Sequence, residues 1–211
     1  TSGCTLEKHM NFAENNTPGY QYTKRTASGW TEIKEANMRY GIMDEDWDVI
    51  FIQQSATESP LPNTYKDYVP RLIEYVRQHK PDARFVWNMT WAYQADTDQS
   101  VYHTYYGGDQ MKMYEAIVNT TKEKIVPRTD FAAIIPSGTA IQNARTSCFG
   151  DNLAKDTYHL NDLGAAIAAY GQLVNDSGYT KAAKDMAKRF LEEARTEKAS
   201  PLAFGQEDTW S

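Results

Sequence analysis

Three short apolar runs constrain this chain more than any other feature: Val49-Ile50-Phe51-Ile52, Phe85-Val86-Trp87-Asn88-Met89 and Phe131-Ala132-Ala133-Ile134-Ile135. Each has strand length, is nearly continuous rather than alternating, and gives way to polar residues instead of a hairpin turn. Continuous apolar runs suit strands buried on both faces, the arrangement of parallel sheets. Segments with helical spacing lie around them: Leu6 to Asn15, Tyr65 to His79, Asp109 to Val126 and Gly164 to Asn175. A charge-laced amphipathic stretch, Thr180 to Lys198, predicts one more helix. This alternation predicts an α/β fold with a mainly parallel sheet. Tyr20 to Lys24 and Trp30 to Ile33 flank the turn-like Ala27-Ser28-Gly29 and predict a small hairpin, with a short helix over Asn37 to Met43.

The 211 residues suit one domain, since no linker, repeat or low-complexity tract divides them. Residues 200–211, with Pro201 and Gly205, read as a docked or frayed tail. No run approaches the length of a membrane-spanning helix. The opening Thr1-Ser2-Gly3-Cys4 has no apolar segment before it, so a lipoprotein signal is not read there and the start looks internal. A net charge of −6, with scattered Lys and Arg, argues against nucleic-acid binding. Cys4 and Cys148 show no metal-ligand spacing, which gives zinc or iron–sulfur chemistry no support; their redox state stays open. The 14 Tyr and 5 Trp fit either a tyrosine-rich core or a surface for sugar rings, and composition does not choose.

In α/β sheets, sites lie beyond the carboxyl ends of the strands. That makes Gln53, Gln54, Ser55, Thr90, Trp91, Tyr93 and Ser137 the candidates. The clearest local signal comes later, in Asp156-Thr157-Tyr158-His159-Leu160-Asn161 before an apolar helix. An Asp three residues before a His can fix the imidazole tautomer and support its protonated form. The same residues could equally be an Asp-capped loop with an incidental histidine. A strand-end glutamine can donate to a developing oxyanion or simply satisfy nearby backbone. Trp91 and Tyr93 could face substrate or the core. His9 reads as a structural hydrogen-bonding residue, His79 as a helix-end residue, and His103 as part of a loop.

Taken together, Gly3-Cys4-Thr5-Leu6-Glu7-Lys8-His9, Trp47 to Ser55, Met89 to Gln94 and Asp156 to Asn161 resemble the SGNH (GDSL-like) hydrolases. The resemblance is to a bacterial group of that superfamily mostly without assigned function, and it runs from Gly3 to about Tyr170. It implies a three-layer, flavodoxin-like α/β sandwich and a serine ester hydrolase needing no metal or organic cofactor. His159 would be the general base and Asp156 its orienting acid. Gly3 and Gln54, or failing that Gln53, would form the oxyanion hole. Ser55, Trp91 and Tyr93 would line the substrate site. In the family the nucleophilic serine lies upstream of the glycine motif, after the first strand. That motif begins here at residue 3, so the first strand or strands are expected to be missing from the sheet, beside the Val49 strand. A separate N-terminal fragment or a second copy would then complete the sheet. Ser55, Ser137 and Ser2 are the substitutes within the chain. The implied substrate is an O-acyl, above all O-acetyl, group on a carbohydrate, and the implied setting is periplasmic or secreted. A non-catalytic carbohydrate-binding or structural domain on the same fold is the alternative, with a lipase or thioesterase after it.

Overall fold

The computed structural model describes residues 3–175; the predicted helix at 180–198, the tail at 200–211 and Ser2 lie outside the described residues. Helix α1 (Leu6–Glu14) starts where Thr5 caps it, the threonine hydroxyl accepting from the Lys8 N–H. Its buried Leu6, Met10 and Ala13 recur at helical spacing and form one face. Strands β1 (Tyr20–Thr26) and β2 (Gly29–Ala36) make the predicted antiparallel hairpin. Helix α2 (Met38–Met43) follows, capped by the Asn37 side chain on the Tyr40 N–H.

Next come β3 (Val49–Ile52), a 3₁₀ turn at Pro62–Thr64, α3 (Tyr68–Arg77) and β4 (Arg84–Asn88). Helices α4 (Ser100–Tyr106) and α5 (Gln110–Lys124) lead to β5 (Phe131–Ile135), α6 (Ser137–Arg145) and α7 (Asp162–Asn175). Sequence reading gave neither α4 nor α6 a place. In particular, His103 lies on α4 rather than in a loop, with Nε2 at 2.8 Å from the Thr97 carbonyl oxygen.

Strands β3, β4 and β5 form a parallel sheet in the order β3-β4-β5, separate from the hairpin. Phe85, Val86 and Trp87 are buried in succession, so both faces of the central strand are covered. Phe85 and Trp87 share a core with Leu6 and Met10 of α1, Leu72 and Ile73 of α3, and Met113 and Ile117 of α5. A second, smaller cluster joins Ile141 of α6, Leu153 and Ala168 of α7. The fold is therefore the mixed α/β class expected, with helices packed on a parallel sheet.

One close approach sets α6 over the end of β4. The Gly138 N–H donates to the Met89 carbonyl at 3.0 Å, and a Cβ on Gly138 would lie 2.0 Å from the Thr90 carbonyl oxygen. Only glycine allows helix and strand end to meet so closely. Gly138→Ala should cost roughly 3 kcal/mol by forcing α6 off this contact. In urea titration its midpoint should fall while the slope is preserved; an unchanged midpoint would show that the backbone gives way freely.

Candidate functional site

Asp156 and His159 lie at the tip of a loop that closes on itself. Ala154 and Leu160 bridge its two arms, the Lys155 N–H donates to the His159 carbonyl and the Asn161 N–H donates to the Leu153 carbonyl. Asn161 then starts α7, its Oδ1 accepting from the Gly164 N–H at 2.9 Å. At the tip, Asp156 Oδ2 is 2.7 Å from His159 Nδ1, while Oδ1 accepts from the His159 N–H at 2.7 Å. Partial desolvation opposes ionisation of Asp156, but the hydrogen bonds from the His159 ring and backbone hold its carboxyl below the usual value. The ionised carboxylate favours a proton on Nδ1 and leaves Nε2 as the proton acceptor. The His159 side chain is 47% exposed.

Aromatic contacts tie the loop to the carboxyl ends of the strands. Tyr158 lies 4.3 Å from the His159 ring centroid and 5.8 Å from that of Tyr93, and the Tyr93 hydroxyl meets Thr57 Oγ1 at 2.9 Å. The Trp91 indole N–H donates to the Tyr158 carbonyl at 2.7 Å. Trp91 thus supports the loop directly and remains partly exposed. Tyr93, expected at the substrate face, is 3% exposed, and its ring is a core element.

The two glutamines divide differently from the sequence expectation. Gln54 is fully buried. Its Oε1 accepts from the Leu6 and Ser55 N–H groups at 2.9 Å each, and its Nε2 donates to Glu58 and Thr64 at 3.2 Å each. Both amide hydrogens are committed, so Gln54 joins β3 to the start of α1 rather than offering a donor to an oxyanion. Gln53 is exposed, and its Oε1 accepts from Asn88 Nδ2 at 2.8 Å. Asn88 Oδ1 accepts in turn from the Ser137 hydroxyl at 2.7 Å. This row crosses the carboxyl ends of all three parallel strands and orients the Gln53 amide. The Gln54–Leu6 bond also brings the Gly3-to-Leu6 segment to the end of β3; Gly3 is exposed at φ +61°.

The substitute serines are poorly placed as nucleophiles. Ser137 is buried at the start of α6, and the Ser55 hydroxyl is buried without a hydrogen-bond partner among the described residues. The dyad shares an end of the sheet with Gly3 and the glutamines, but no hydrogen bond joins them among the described residues. No His, Cys, Asp or Glu group among the described residues is arranged to hold a metal ion. No helix there is long and apolar enough to cross a membrane. Cys4 and Cys148 are free thiols.

Sequence reading missed the half-buried pair Arg145–Asp151, with Nε and Oδ1 2.7 Å apart. Arg145 also donates to the Ala92 carbonyl, while Asp151 Oδ2 accepts from the Ala95 N–H and from Gln110 Nε2. The pair clamps the loop after β4 against the segment leading to the dyad. An arginine at a helix end looks in sequence like surface charge, so no sequence signal distinguishes it.

A cavity of about 450 Å³ runs along the side of β3 that pairs with no strand among the described residues, lined by Val49, Ile50, Phe51, Ile52 and Gln53 and faced by His9. Phe51 is 57% exposed there. Burial, with help from nearby positive charge, lowers the His9 imidazole from 6.5 to about 4. His9 Nδ1 sits 2.8 Å from the Tyr20 hydroxyl and 3.4 Å from Cys4 Sγ.

Gln54→Leu should lower stability by roughly 3 kcal/mol, because it leaves the buried Leu6 and Ser55 N–H groups unsatisfied. Gln53→Ala should leave the unfolding midpoint unchanged; equal loss in both variants would cancel the division of roles. His9 gives a pH dependence of definite sign. Its folded pKa lies below the unfolded one, so its contribution is complete above pH 6.5 and lost as pH falls through 4. That loss amounts to about 3 kcal/mol by linkage. Urea unfolding of the protein and of His9→Gln between pH 7 and pH 4 should show a shallower acid limb in the variant.

Residues 1–185 match the family model described as "Domain of unknown function (DUF4886)". The chain is similar to the crystal structure of a DUF4886 family protein from Bacteroides uniformis ATCC 8492, with 32% identity and a TM-score of 0.74. That match covers 96% of this chain and 82% of the other. A proposed GDSL-like lipase from Parabacteroides merdae ATCC 43184 aligns at 14% identity and a TM-score of 0.46, over 70% of this chain and 66% of that one. No curated protein matches. With residues 1–185 matched by that family model and 96% of its length aligned to the Bacteroides uniformis protein, the chain belongs to the DUF4886 family.

Proposed function

We propose that the protein is a serine-type ester hydrolase in which His159 is the general base and Asp156 its orienting acid. The observation that carries this reading is the 2.7 Å bond from His159 Nδ1 to Asp156, which leaves Nε2 open at the carboxyl end of a parallel sheet. In the reaction, Nε2 takes the proton of a serine hydroxyl as that oxygen attacks the ester carbonyl. The proton then passes to the leaving alcohol, and water releases the acyl group by the same route in reverse roles. The oxyanion donors in this reading are the Gly3 N–H and the Gln53 amide, the latter in place of the committed Gln54.

The serine, in this reading, comes on a strand that pairs with the open side of β3. The cavity supports this: it follows β3 from Val49 to Gln53, as a neighbouring strand would, and exposes Phe51. An acyl pocket of a lipase or thioesterase would instead deepen away from the sheet edge. Carbohydrate O-acyl groups are the proposed substrates, supported by the polar Gln53 and Asn88 at the strand ends. The rival reading is a non-catalytic domain on this fold, favoured by the lack of a serine hydroxyl bonded to His159 among the described residues.

Fluorophosphonate labelling of the natural protein, followed by peptide mapping, separates these readings. The esterase reading expects one labelled serine, and His159→Ala should lower both labelling and aryl-acetate turnover by about 10²–10⁴-fold with folding intact. Labelling and turnover unchanged by His159→Ala would remove it from the reaction. No label at all would favour the binding domain.

A further inference from the structure

Between Asp156 and His159 stands Thr157, whose backbone lies in the left-handed region at φ +70°. Glycine enters that region freely, whereas a β-branched residue pays of order 1–3 kcal/mol and stays only when its surroundings hold it there. Thr157 is held from two directions. Its carbonyl accepts from the Gln94 N–H at 2.7 Å, and its hydroxyl lies 2.7 Å from that of Thr97, which is itself buried. Both partners belong to the loop after β4, which the Arg145–Asp151 pair fixes through Ala92 and Ala95. The turn at Thr157 reverses the chain so that the Asp156 carboxylate reaches both the His159 N–H and its ring. Relaxed to an extended conformation, residue 157 would carry those groups apart.

We propose that Thr157 is a positioning residue: its hydroxyl bond to Thr97 holds a strained left-handed turn that brings Asp156 onto His159 Nδ1. The inference rests on reading Asp156 and His159 as an acid–base pair, and its test does not require activity. It predicts an unusual order of variants. Thr157→Val keeps the shape and the β-branch but loses the hydroxyl bond, so the turn relaxes. Thr157→Gly loses the bond too, yet adopts φ > 0 without strain and keeps the turn. A residue that merely fills space would give the opposite order, with valine tolerated better than glycine.

The readout is the imidazole tautomer of His159, from its two ring ¹⁵N shifts at a pH where the ring is neutral. In the unmodified chain and in Thr157→Gly, the Nδ1–H form should dominate. In Thr157→Val it should give way to the Nε2–H form that a free imidazole favours. If Thr157→Val does not fold, Thr97→Val removes the same bond from the other side and should shift the tautomer in the same direction. Retention of the Nδ1–H form in a folded valine variant at either position overturns the proposal while leaving the acid–base reading intact. Absence of the Nδ1–H form from the unmodified chain overturns both.

Discussion

A parallel sheet must return the chain to the same end before each strand, so every strand of β3-β4-β5 releases its following loop on one side. The rest of the site follows from that constraint. Gln53 and Gln54 after β3, Asn88 and Trp91 around the end of β4, and Ser137 after β5 come together without any sequence motif joining them. The hydrogen-bonded row Gln53–Asn88–Ser137 crosses the strand ends in the direction of the sheet itself. The dyad loop, much later in the chain, reaches this end through Trp91 and Tyr93.

Loops gathered in this way are not thereby rigid, and buried polar groups fix them. Gln54 spends all four of its hydrogen bonds on the ends of α1, β3 and the turn before α3. Arg145 and Asp151 do the same for the loop after β4. A buried ion pair gains little net stability over apolar packing, because desolvation offsets most of the attraction. Its direction and partner count nevertheless allow only one arrangement of the backbone groups it binds. The carbonyl of Ala92 and the N–H of Ala95 are both bound by the pair, which thereby sets the path of the loop.

The sheet, the hairpin and α1, α2, α3, α5 and α7 were legible because their signals are local. Apolar runs and helical spacing both lie within a few residues. The Asp156–His159 contact was legible for the same reason, being three residues apart. Helix α6 was not, since it begins within two residues of β5 and its sequence from Ser137 to Arg145 is mixed polar and small. Gln53 and Gln54 could not be told apart because their roles depend on partners far away in sequence, Leu6 for one and Asn88 for the other. Tyr93 after a strand could face substrate or the core; only the packing of Tyr102 and Tyr158 against it shows it is core.

That division between local and distant contacts also explains how the site is assembled. The Asp156–His159 contact is carried on one loop, so its geometry depends on the turn at Thr157 and on the loop after β4 rather than on the edge of the sheet. In the proposed esterase the oxyanion donors depend on β3, which on its other side pairs with no strand among the described residues and borders an apolar cavity. An edge strand in a parallel sheet leaves backbone donors and acceptors and an exposed ring such as Phe51 without neighbours, an arrangement that favours pairing with a further strand. Such a strand would meet Gly3 and Gln53 at its carboxyl end while leaving the Asp156–His159 loop undisturbed. In the proposed esterase, the acid–base pair and the oxyanion donors therefore rest on separate elements, and the nucleophile would arrive at the end of that further strand.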